Sequence, residues 1–264
     1  MTHYNTIIIG AGIAGLTAAI YSARAGKSTL VLESTVLGGQ IIYVDKVENY
    51  PALSGKSGVD IITATAAQAT GFGAQIRYET VKSITPDKTV VSNLGEYTAD
   101  KIIIAIGITR SKLGVPGEEK FTGRGVSYCA ICDGAFYKDK TAVVVGGSKM
   151  ATEDVAFLKP LCQNVIQITD PKTIAGIKGS QTVNAVLLTD GTEISANAVF
   201  IAVGLSANSS WLPPDLNLTP KGFITTDENM RTALPGIYAA GDIRQKRHRQ
   251  LVTAAADGCI AALD

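Results

Sequence analysis

Histidine and tryptophan are nearly missing from this chain, which has two of the former, His3 and His248, and one of the latter in 264 residues. With only four cysteines beside those histidines, a zinc site of about four ligands is hard to assemble. Four cysteines are also too few for a disulfide scaffold. No apolar run reaches the roughly 18 residues of a membrane span. The opening MTHYNTIIIGAG enters a strand without the charged and then apolar regions of a secretory signal, so a cytoplasmic protein is expected. Charge of one sign is lacking too. A formal net charge of +1 gives no global field that would favour nucleic acid or a membrane surface.

What is present is a core and its turns. The chain is 46% hydrophobic with 27 glycines, enough to bury an interior and divide into two domains of ordinary size. YNTIIIGAGIAGLTAAIYSARAGKSTLVLES alternates an apolar strand, a glycine turn, a helix of small residues and a second strand ending in Glu33, which is a βαβ unit with a parallel sheet. KIIIAIG (101–107) reads as another buried strand, and SKLGVPGEEKFTGRGV after it has the composition of a linker. At TAVVVGG a second strand-turn-helix begins, so a fold is duplicated. NVIQIT (164–169), AVFIAVG (198–204) and GIYAAGD (236–242) are further strands, and LVTAAADGCIAAL reads as a closing helix. These elements predict an α/β protein in which a smaller domain, residues 113–205, is inserted into a first domain made of 1–112 and 206–264.

Gly10, Gly12 and Gly15 complete G-x-G-x-x-G between a strand and a helix, where backbone N–H groups and the helix dipole meet a pyrophosphate. Glu33 stands where a carboxylate accepts ribose hydroxyls and repels a 2'-phosphate. The pattern marks a dinucleotide site without separating FAD from NAD. Cys129 and Cys132 in SYCAICDG fall on one face of a helical first turn, close enough to bridge. A helix N-terminus would lower a thiolate pKa. The pair reads as a redox dithiol, with zinc and an inert disulfide as the alternatives. Asp133 is placed either to return a proton to a leaving thiolate or to cap a helix. Cys162 and Cys259 stand alone and read as small apolar groups. The one dense basic run, RQKRHRQ (244–250), reads as a solvated face or as a dock for an acidic protein.

GAGIAGLTAAIYSARAG, GGQ (38–40), VENYP (47–51), GVSYCAICDGAFY and GIYAAGDIRQKRHRQLVTAAADG together resemble low-molecular-weight thioredoxin reductases. The resemblance implies a homodimeric flavoprotein of two Rossmann-like, FAD/NAD(P)-binding domains with three ββα layers. The smaller domain would carry the cysteine pair. Electrons would pass from NADPH to FAD, to the dithiol and on to thioredoxin. Position by position, the cofactor residues would be Gly10, Gly12, Ala14 and Gly15, with Glu33 on the adenosine ribose. Gly39, Gln40, Asn49 and Val81 would join them. Ala105 and Gly107 would lie near the nucleotide, Gly241 and Asp242 near the ribityl chain, and Arg249, Gln250 and Leu251 against the isoalloxazine. Cys129, Cys132 and Asp133 would be catalytic.

Three departures lie in the middle domain. The second glycine loop runs Gly146, Gly147, Ser148, Lys149, Met150, Ala151, with a Cβ at position 148 where backbone should approach pyrophosphate. Where the family follows its next strand with arginines that clamp the 2'-phosphate, this chain has Asp170 and Pro171, with Lys172 and Lys178 the nearby cations. Between Asp170 and AVLLTDGTEI lie only about a dozen residues, too few for a crossover helix and a further parallel strand. Each lost charge-assisted phosphate contact is worth about 1.5–3 kcal/mol, so two or three lost contacts weaken NADPH by roughly two to six orders of magnitude. The expectation is a FAD-dependent disulfide oxidoreductase, acting on a thioredoxin-like protein and fed by ferredoxin, another acidic donor or a second flavin. An ordinary NADPH-dependent reductase is the alternative, and a non-catalytic flavin-binding redox sensor is the alternative of another class.

Overall fold

The structure, a computed structural model, describes residues 1–264. Along the chain come β1 (Thr2–Ile9), α1 (Ile13–Arg24), β2 (Thr29–Glu33), α2 (Gly58–Gly71), β3 (Gln75–Tyr78), β4 (Val81–Ile84), β5 (Thr89–Ser92) and β6 (Glu96–Ile104). Then follow β7 (Thr109–Arg110), α3 (Glu118–Phe121), β8 (Val126–Ser127), α4 (Ala130–Asp133), β9 (Thr141–Val145), α5 (Lys149–Leu158) and β10 (Asn164–Ile168). The remainder is β11 (Ile174–Gly179), β12 (Val183–Leu188), β13 (Glu193–Ser195), β14 (Ala198–Ile201), β15 (Leu205–Ser206), β16 (Ile237–Ala239) and α6 (Leu251–Leu263). Two compact units result, one of Met1–Thr109 with Ser206–Asp264, the other of Arg110–Leu205.

In the first unit a parallel sheet runs β3-β2-β1-β6, with β16 beside the C-terminal half of β6. The antiparallel β4–β5 hairpin takes up the N-terminal half of β6, at Glu96–Thr98. The strands are apolar on both faces because both are covered. Ile8, Val31 and Ile103 face the core shared with α1, α2 and α6, while Ile7, Ile9, Leu30, Leu32, Ile102 and Ile104 face the other. That split follows the two-residue period of a strand. The helix predicted at the C-terminus forms as α6, and it closes on α1 through small residues. A Cβ on Gly258 would stand 2.0 Å from the carbonyl oxygen of Ala14.

The second unit holds a four-stranded parallel sheet, β10-β9-β14-β8, and an antiparallel meander of β11, β12 and β13. No helix and no parallel strand intervenes between β10 and the meander. A single 3₁₀ turn at Pro171–Thr173 leads straight into β11. The stretch expected as a linker is instead packed: Glu118 and Phe121 are buried, and Phe121 joins the core beneath the meander. The Glu118 carboxylate accepts the N–H groups of Leu113 and Gly114 and the hydroxyl of Tyr128, so the glycine-rich composition is that of a folded turn.

Candidate functional site

The two glycine loops are copies of one turn. Gly10 has φ +101° and Gly146 φ +145°, conformations that L side chains rarely adopt. A Cβ would stand 2.5 Å from the oxygen of Ala105 at the first and 2.4 Å from that of Ala202 at the second. Each glycine N–H is received by the neighbouring parallel strand, Gly10 by Leu32 and Gly146 by Ile168, both at 2.8 Å. Beyond the turn they diverge. Gly12 caps α1 with no side chain, and the nearest atom to a Cβ there is the oxygen of Gly38 at 3.8 Å, so no capping side chain occupies the first N–H groups of α1. At the matching place Ser148 caps α5 with its own hydroxyl, which accepts the Ala151 N–H at 3.3 Å.

Glu33 ends β2 buried, with Oε2 accepting the Ala11 N–H at 2.8 Å and Oε1 the Thr35 N–H at 3.0 Å. Oε2 keeps acceptor capacity for a ribose hydroxyl. Open helix N–H groups beside such a carboxylate fit an adenine dinucleotide of the FAD kind. Ala14 and Gly15 lie in the first turn of α1, and Gly39 and Gln40 open the 3₁₀ turn Gly39–Tyr43. Val81 begins β4, and Ala105 and Gly107 follow β6. The fold brings Asn49 to Gln250, whose side-chain oxygen accepts from Asn49 Nδ2 at 3.1 Å. Gly241 and Asp242 form the 3₁₀ turn after β16, and Leu251 starts α6. Arg249 laces its own loop together: it donates to the carbonyls of Asp242, Lys246 and Arg244 and lies over the Phe223 ring.

The basic run is not uniformly a solvated face. Arg244 and Lys246 are inward, each 2.8 Å from the buried Asp257 of α6, while Gln245, Arg247 and His248 are exposed. Asp257 Oδ2 also accepts the Gly241 N–H at 3.0 Å, so one carboxylate holds both ends of the loop that carries Asp242. Sequence reading missed Asp257. Its signal was a lone acid in the alanine-rich LVTAAADGCIAAL, one helix past a run of cations.

In the second unit Cys129 and Cys132 form a disulfide, with Cα atoms 5.3 Å apart. Cys129 is the N-cap of α4, and its sulfur accepts the Cys132 N–H at 3.2 Å. Such a position favours a thiolate once the bridge opens. Asp133 does not cap a helix with its side chain. Its Oδ2 accepts the Ser127 hydroxyl at 2.6 Å. Burial pushes its carboxyl above the usual range, opposed by the Ser127 hydrogen bond and the Arg110 charge. Asp154 on α5 is raised to about 6, again by burial and again opposed by Arg110. Cys162 packs in the apolar core of this unit, as expected; Cys259 in α6 is half-buried.

A dinucleotide cradle in one unit, with a Cys-x-x-Cys bridge and a half-buried acid in the other, is the equipment of a nucleotide-dependent disulfide oxidoreductase. The profile of the pyridine nucleotide-disulphide oxidoreductase family matches residues 4–174 and 158–258. The thioredoxin reductase of Treponema pallidum is 40% identical over 294 residues, covering 99% of this chain and 95% of that protein. The chain belongs to this family, in its thioredoxin reductase branch, and is an oxidoreductase. The crystal structure of the Streptococcus pyogenes thioredoxin reductase superposes with a TM-score of 0.93 at 35% identity, over 99% of this chain and 96% of that one. The ferredoxin-flavin thioredoxin reductase of Clostridium acetobutylicum gives 0.59 at 31% identity, over 100% and 96%. An alignment of 294 positions against 264 residues leaves at least 30 positions of the Treponema protein without a counterpart here.

Proposed function

We propose that this oxidoreductase binds FAD and exchanges an electron pair between it, the Cys129–Cys132 disulfide and the disulfide of a thioredoxin-like protein. Its donor is not NADPH but a reduced ferredoxin or a second flavin. Family likeness supports a cytoplasmic homodimer. Bound FAD supplies the two-electron carrier; the chain's own residues handle sulfur and proton. A thiolate of the reduced pair attacks a partner sulfur, the partner's S–S bond breaks, and the second cysteine displaces the partner as the Cys129–Cys132 bond re-forms. The Asp133 carboxylate takes the proton of the thiol that becomes nucleophilic, and as the acid it returns a proton to a leaving thiolate.

The observation that carries the donor assignment is Ser148. Its hydroxyl satisfies the Ala151 N–H of α5, a group that a pyrophosphate would need, whereas the matching Gly12 leaves the first turn of α1 open. Asp170 supports the same reading. It caps the Pro171–Thr173 turn through the Lys172 N–H and places a carboxylate where a 2'-phosphate wants cations. Lys178, a candidate replacement, is engaged by Glu193. The Gly146 turn, intact in backbone, favours one other reading, an NADPH-dependent reductase with a minimal domain.

Photoreducing the flavin of the purified holoprotein and counting thiols tests the core of the proposal. Two new thiols, then passed to an added oxidised thioredoxin, are expected. No new thiols would mean a passive flavin binder.

A further inference from the structure

Ser127 ends β8 two residues before the disulfide and is buried. Its hydroxyl serves two neighbours at once. It donates to Asp133 Oδ2 across 2.6 Å and accepts the backbone N–H of Cys129 at 3.0 Å. The other acceptor in reach, the carbonyl of Cys129, lies at 3.4 Å, so the short contact to the carboxyl takes the proton. A hydroxyl has one proton and two acceptor sites, and can therefore donate to the Asp133 carboxylate or accept from the Asp133 acid without moving.

We propose that Ser127 is a positioning residue of the thiol–disulfide exchange, its hydroxyl tying the peptide of Cys129 to the carboxyl of Asp133 so that sulfur and acid keep one geometry in both protonation states. The inference rests on Asp133 as the proton carrier of the exchange described above, in which the proton of the attacking thiol passes to the carboxylate and on to a leaving thiolate. The charged and titratable groups around Asp133 are Arg110, Tyr137 in the turn that follows α4, and Asp154 on α5, which shares Arg110. None of them supplies a hydroxyl bond to both the cysteine backbone and the acid. Loss of a hydrogen bond to the ionised form drives a carboxyl pKa up.

The test is a ¹³C NMR titration of the Asp133 carboxyl in the oxidised holoprotein, with the resonance assigned by its loss in Asp133→Asn. Ser127→Ala raises the midpoint by about one unit, the size expected for a charge-assisted bond. The acid limb of the pH profile for thioredoxin reduction moves with it. Ser127→Thr restores both. Should Ser127→Ala not fold, Ser127→Thr and Ser127→Val, alike in shape and different in the hydroxyl, carry the comparison; Val raises the midpoint and Thr does not. A midpoint unmoved by loss of the hydroxyl overturns the inference. Wild-type turnover in Asp133→Asn also overturns it, by removing the proton-carrier reading while the NMR shift stands, so the two failures are distinguishable.

Discussion

Replacing Asp257 by asparagine takes one negative charge from between two buried cations and leaves an amide oxygen to accept the Gly241 N–H. Arg244 and Lys246 have side-chain exposures of 12% and 11%, so neither can recover its solvation without moving the loop. Removing one partner of a buried ion pair costs about 3–5 kcal/mol, because the remaining charge is stranded. The partial exposure places this case near the lower end. The strain falls on the segment from Gly241 to Gln250, which carries Asp242, Arg249 and Gln250 of the proposed flavin site. A loss of about 3 kcal/mol in that segment weakens FAD by roughly two orders of magnitude, at about 1.4 kcal/mol per tenfold. The assay is reconstitution of the apoprotein with FAD, followed by quenching or recovery of flavin fluorescence. Asp257→Asn combined with Arg244→Met and Lys246→Met, which strands no charge and keeps an acceptor for the Gly241 N–H, recovers most of the fold's stability. An FAD affinity and unfolding temperature of Asp257→Asn indistinguishable from wild type would show that the clamp holds nothing.

Asp154→Asn stabilises the protein in a pH-dependent way. The folded pKa of about 6 lies above the ordinary value of about 3.9, so the native state binds more protons between them and loses stability as pH rises through that window. The variant gains up to about 2 kcal/mol above pH 6, discounted for partial exposure, and nothing below pH 4. Urea unfolding at both pH values checks it, and an equal gain at both contradicts it. Glu33→Ala removes the acceptor of the Ala11 and Thr35 N–H groups and the proposed ribose contact. FAD then binds about ten- to a hundredfold more weakly, read by dialysis, while the Cys129–Cys132 bridge still forms. Retention of FAD at wild-type affinity would move the dinucleotide elsewhere.

The parts of the fold that were legible in sequence are those where local chemistry and tertiary role coincide. III before GAG is apolar on every residue because a parallel strand is covered on both faces, and Gly10 and Gly146 are glycines because a Cβ would strike a carbonyl oxygen. The Cys-x-x-Cys pair was legible because its spacing alone brings the sulfurs together. Composition misled at residues 111–126, where glycines that read as a linker serve turns fastened by the buried Glu118. It misled again at Arg244 and Lys246, since a run of cations looks solvated until the acid that neutralises it arrives from a helix downstream. Asp257 and Ser127 act through partners that sequence distance or a single hydroxyl conceals. No periodicity marks such residues, only the packed structure.

Anaerobic mixing of the oxidised holoprotein with NADPH in one experiment and with reduced ferredoxin in another, following the visible absorbance of the flavin, addresses the donor directly. Ferredoxin is expected to bleach the flavin and deliver two thiols at Cys129 and Cys132, with NADPH leaving the absorbance unchanged. Rapid, complete bleaching by a stoichiometric amount of NADPH would contradict the reading of Ser148 and the loop it caps.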